Sequence, residues 1–83
     1  MKTLAEQAAA LYSECRQDGG RSGEAWECVR FKAKKLGGKV VYSSNDDPSY
    51  GGISDYPTLI YQFPDNSRLK LMFGGVSVQE QNK

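Results

Sequence analysis

Eighty-three residues, 25% of them charged and 39% hydrophobic with a net charge of +1, describe one small domain, 1–83. A chain this short buries only about 60% of the surface its unfolded form exposes, so its core is thin and has no room for a large enclosed active site. No apolar run approaches the roughly 20 residues that span a bilayer, and a pI near 7.7 lies below the value of about 9 usual for a dedicated nucleic-acid-binding domain.

The first helix is expected over Leu4–Gln17. Thr3 and Glu6 have the spacing of a capping box, a hydroxyl followed three residues later by a carboxylate. Leu4, Ala8, Leu11, Tyr12 and Cys15 recur at helical spacing and read as a core stripe. The segment has no uninterrupted apolar region of the kind a signal peptide needs, so the expected location is the cytoplasm of the producing or infected cell. Asp18-Gly19-Gly20-Arg21-Ser22-Gly23 then breaks the helix. It is not a phosphate loop, for it has no Gly-Lys-Ser/Thr ending and joins helix to helix. It is also too long for the turn of a DNA-binding helix-turn-helix.

A second helix is expected from Glu24 to Leu36, stopped by Gly37-Gly38, which closes a helical hairpin over 1–38. Ala25, Trp26, Val29, Ala33 and Leu36 share one face, while Phe31 lies almost opposite. An 83-residue chain needs its aromatics for the core. That need places both Trp26 and Phe31 inside, with the helix sandwiched between the first helix and a sheet. The other placement makes Phe31 an exposed anchor in a charged field. Cys15 and Cys28 have no zinc or redox spacing. They fit two half-buried thiols, with a disulfide across the hairpin as the alternative.

Strands are expected over Lys39–Ser44, Thr58–Phe63 and Arg68–Phe73, with a short fourth at Val76-Ser77-Val78 and a frayed tail at 80–83. The sheet region therefore covers 39–79. Pro64-Asp65-Asn66-Ser67 supplies a turn, since Pro presets φ and Asp and Asn tolerate turn geometry. Helices followed by strands indicate an α+β domain. Its helical hairpin would pack on one face of a three- to four-stranded antiparallel sheet, in the order ααβββ. Leu59, Tyr61, Phe63, Leu69, Leu71, Phe73, Val76 and Val78 should face the helices. Thr58, Ile60, Gln62, Arg68, Lys70 and Met72 should face outward, and that face or a bare edge strand could take a second copy of the chain.

Between the first two strands runs a long loop, 45–57, rich in Ser, Asn, Asp, Gly and Tyr. Loops of this length are usually functional or disordered, and Tyr, Ser, Gly and Asn are the residues antibody paratopes favour. The competing reading is a mobile connector whose Tyr50 and Tyr56 fold back on the sheet. Residues 39–66 set Lys39 against Asp46, Asp47, Asp55 and Asp65, so the loop is an acidic patch on a weakly basic body. Its carboxylates lack the fixed offsets of a calcium loop, and no metal site or cofactor is expected.

Catalytic equipment is sparse. The chain has no His, the usual acid–base group near neutral pH, and neither cysteine has a base to generate its thiolate. The expectation is a protein that binds rather than one that catalyses. Asp46, Asp47, Tyr50, Ile53, Asp55 and Tyr56 are the candidate partner contacts. A second set, Arg30, Lys32, Lys34, Lys35 and Lys39, could instead contact the phosphates of a nucleic acid.

The stretch Tyr61-Gln62-Phe63-Pro64-Asp65-Asn66-Ser67-Arg68-Leu69 resembles the Tyr-x-Phe-x-Asp-x-Ser-x-Leu hairpins of small phage and mobile-element proteins, anti-CRISPR inhibitors among them. The resemblance covers about nine residues and transfers no functional residue. It implies a compact, non-catalytic protein that covers a surface of a host protein or protein complex. Acidic decoys of nucleic acid are frequent among such inhibitors. The net charge of +1 departs from that pattern and leaves only a local acidic patch.

Overall fold

The computed structural model describes residues 2–17 and 19–79. Two helices, α1 (Leu4–Gln17) and α2 (Ser22–Lys35), precede four strands: β1 (Lys39–Ser43), β2 (Leu59–Gln62), β3 (Arg68–Met72) and β4 (Gly75–Gln79). The strands form one antiparallel meander in the order β1-β2-β3-β4. The helices pack against each other and onto one sheet face, α1 over β3 and β4 and α2 over β3. The expected α+β architecture is therefore present, with the fourth strand over Gly75–Gln79. The expected fraying at 80–83 lies outside the described residues.

Each helix boundary has a local cause. At the start of α1 the Thr3 amide donates to Glu6 Oε1 (3.0 Å) and the Glu6 amide to Thr3 Oγ1 (3.1 Å), a reciprocal capping box. Two further amides of that first turn are met from far along the chain. Leu4 donates to Asp65 Oδ2 (2.9 Å) and Ala5 to Ser67 Oγ (3.0 Å). The β2–β3 turn thus completes the helix cap. Both helices end in a Gly-Gly pair. The Gly38 amide reaches the Ala33 carbonyl and the Gly37 amide the Lys34 carbonyl, with Gly37 at φ 85°. Gly19 and Gly20 repeat this Schellman pattern on Arg16 and Cys15, with Gly19 at φ 84°.

α2 begins at Ser22, two residues before the expected Glu24. Gly23 is therefore helical, and its missing side chain admits Tyr56. A Cβ there would lie 2.8 Å from the Tyr56 hydroxyl and 2.9 Å from Cζ.

The core joins Ala5 and Ala8 of α1, Trp26, Val29 and Ala33 of α2, and Leu59, Tyr61, Phe63, Leu69 and Leu71 from the sheet region. Alternation along β2 and β3 puts these sheet residues on the helix side. One expectation about the core needs correction. Phe31 is 61% exposed: it borders a shallow surface hollow with Val40 and Tyr61 instead of entering the core. Phe73, in the turn after β3, is half exposed with its ring against Tyr56, and Val78, opposite buried Leu69, keeps to the helix side while remaining partly exposed.

Candidate functional site

The loop joining β1 to β2 has a fixed base and an exposed tip. Its first residues, Ser44–Asp46, form a 3₁₀ turn. Buried Ser44 ties to Thr58 twice, amide to carbonyl and Thr58 amide to Ser44 Oγ (both 3.0 Å). Asn45 and Ser54 then close the loop reciprocally. Asn45 Nδ2 donates to the Ser54 carbonyl (3.0 Å), and the Ser54 amide donates to Asn45 Oδ1 (2.9 Å). Ser54 Oγ in turn accepts the Tyr56 amide (3.1 Å). On the far side, Trp26 Nε1 donates to the Pro57 carbonyl (3.3 Å).

The candidate partner contacts divide into two groups. Tyr56 packs inward: its ring meets Trp26 edge-on at 5.3 Å and Phe73 at 5.0 Å. Asp47 serves the loop itself, accepting from Ser49 Oγ (2.7 Å), the Ser49 amide (3.0 Å) and the Tyr42 hydroxyl (2.8 Å). The Ser49 hydroxyl, then the Tyr42 hydroxyl and the Ser49 amide, hold the Asp47 carboxyl below the usual carboxylate range. Tyr42, donating to that carboxylate, has its phenol raised.

The second group faces solvent. Ile53 is 87% exposed and Tyr50 57% exposed, and Asp46 and Asp55 are exposed beside them. The Tyr50 hydroxyl lies 3.4 Å from Thr58 Oγ1, and the Tyr50 amide donates to the Asp47 carbonyl (3.1 Å). Gly51 and Gly52, at φ 96° and 156°, let the tip turn between Tyr50 and Ile53.

The basic set is spread along the α2–β1 junction. Arg30 and Lys34 border a shallow hollow with Phe31, Gly38, Val40 and Tyr61. Lys39 borders a neighbouring one with Val41 and Gln62. Lys35 is exposed and Lys32 half-buried. Arg30 also places its guanidinium 6.0 Å from the centre of the Trp26 ring.

Reading the sequence overlooks the clasp formed by Ser44, Asn45 and Ser54, since small polar residues in a loop look alike until their partners are known. Val40 and Val41 are overlooked as surface residues too. Their signal is a valine pair in a strand segment without charge from Val40 to Asn45. Among the described residues, no three or more carboxylates and cysteines gather as a metal would need, and no helix is long and apolar enough to cross a membrane. No protein-family model, curated protein or solved structure matches the chain.

Proposed function

We propose that this chain is a small, non-catalytic protein-binding module that docks through the tip of its β1–β2 loop. The observation that carries this reading is the contrast between Ile53, almost wholly exposed, and the clasped base beneath it. A large aliphatic side chain held in water on a fixed support is pre-organised to bury itself in a partner's pocket. Tyr50 adds contact area at small entropic loss. Asp46 and Asp55 direct the tip toward a basic surface and exclude acidic ones. Together with the hairpin resemblance, this favours an accessory protein of a phage or mobile element that occludes a surface of a host complex.

A second reading rests on Phe31, exposed between Arg30 and Lys34. That grouping offers a ring for a base to stack on and cations for its phosphates.

One experiment separates the two. The wild-type chain and the Tyr50→Ser/Ile53→Ser variant are used to capture partners from a lysate of the source cell, with and without nuclease. The loop reading expects a nuclease-resistant protein partner that the double variant loses, with affinity down at least about tenfold. Capture that survives the double substitution overturns it. Capture abolished by nuclease, and by Lys34→Glu with Lys35→Glu, supports the nucleic-acid reading instead.

A further inference from the structure

The free edge of β1 carries the most unusual surface outside the loop tip. β1 has a neighbour on one side only, and neither helix packs on it as they do on β3 and β4. The opposite edge, β4, lies under α1. Exposed edge strands are ordinarily blunted by a charge in mid-strand, a proline, a covering helix or a bulge. β1 has the bulge, between Val40 and Tyr42. It has no proline and no charged residue between Lys39 and Asp46, and both Val40 and Val41 are half exposed.

Charge is arranged along this edge with a direction. Lys39 opens the strand, and the exposed Lys34 and Lys35 of α2 lie just before it in the chain. At the other end, Asp46, Asp47 and Pro48 border the same shallow hollow as Val40, Val41, Tyr42 and Ser43. The edge is therefore basic where it begins, apolar through its middle and acidic where it ends.

From this polarity we infer that β1 pairs antiparallel with β1 of a second copy of the chain, joining two four-stranded sheets into one of eight strands. An isologous two-fold contact sets the start of each strand beside the end of the other. Basic then meets acidic at both ends of the seam: setting Lys39 against Asp46 centres the two-fold axis between Tyr42 and Ser43, with Val40 and Val41 of each strand flanking it. A parallel arrangement would oppose like charges at each end. Edge pairing also gives strand partners to the backbone amides and carbonyls of β1 that face away from β2. Asp46, Asp47 and Pro48 border both the seam and the loop tip at Gly51–Ile53, so the dimer would present two copies of Tyr50 and Ile53 beside the ends of the seam. This inference does not depend on what those tips bind.

The test is the solution mass of the full chain by sedimentation equilibrium. At about 100 μM, far above a micromolar Kd, twice the 9.2-kDa chain mass is expected, with weaker association at high salt. Lys39→Glu or Asp46→Lys alone should weaken self-association about tenfold, because symmetry repeats each change at both ends of the seam. The combined Lys39→Glu/Asp46→Lys variant should regain the wild-type constant. Val41→Lys should leave a monomer whose far-UV circular dichroism is unchanged. A monomer at that concentration for the wild type overturns the inference. So does a dimer indifferent to both reversals, or a double variant that stays as weak as the singles.

Discussion

Replacing Gly23 by alanine gives a sharp check on how the loop is anchored. In an ordinary helix the exchange stabilises, by about 0.5–1 kcal/mol, since glycine loses more backbone freedom on folding. Here the new methyl would lie 2.8 Å from the Tyr56 hydroxyl, 2.9 Å from Cζ and 3.2 Å from Cε1, and the ring must move. That ring holds an edge contact with Trp26 and a tilted one with Phe73. Such aromatic pairs contribute about 0.5–1.5 kcal/mol each beyond their buried area. Partial loss of both outweighs the helical gain, so Gly23→Ala should destabilise by about 1 kcal/mol. Urea unfolding followed by the fluorescence of Trp26, the single tryptophan, reads the change directly. With a slope of about 1 kcal/mol/M, the midpoint should fall by about 1 M. The diagnostic is a reversal of sign. In a Tyr56→Leu background the far end of the ring is gone, and Gly23→Ala should raise the midpoint by about 0.5 M. If Gly23→Ala stabilises the otherwise wild-type chain, the proposed packing of Tyr56 against α2 is wrong.

Two further outcomes follow from hydrogen bonds described above. The Leu4 amide, followed by the Ser67 hydroxyl, holds the Asp65 carboxyl below its ordinary range. The unfolded chain therefore binds this proton more readily, so the stabilisation is complete above the ordinary carboxylate pKa, near about 4, and is lost as pH falls through the folded value. Thermal melts should show stability dropping below about pH 4, and Asp65→Asn should lower the neutral-pH melting temperature while flattening that acid slope. Asn45→Ala opens the reciprocal clasp with Ser54. It should cost about 1 kcal/mol and create protease sensitivity confined to residues 46–53, visible by mass spectrometry of a limited digest.

Much of the fold is legible from the residues themselves. The Thr3/Glu6 spacing marks the start of α1, and the alternation from Leu59 to Phe63 and from Leu69 to Leu71 assigns the buried sheet face. Phe31 shows where that reasoning fails. The need of a short chain for buried aromatics pulled it inward, whereas its own helical position, opposite Trp26 and Val29, pointed outward, and position prevailed. The loop was legible in composition but not in function by residue. Tyr50 and Tyr56 are the same residue type six positions apart, yet one lies in solvent and the other between Trp26 and Phe73. Only the packing of α2, with its bare Gly23, separates them.

The Asp65 and Ser67 contacts to α1 also bear on how the chain matures during synthesis. Residues 3–17 leave the ribosome before the sheet does, and the side chains that complete their helix are about sixty positions behind. The strands that cover the helix, β3 and β4, emerge in the same late stretch. Closing so long a separation is entropically unfavourable and slows folding. α1 therefore waits as a nascent, fluctuating helix until the β2–β3 hairpin exists, and hairpin formation becomes the event that commits α1 and the sheet at once.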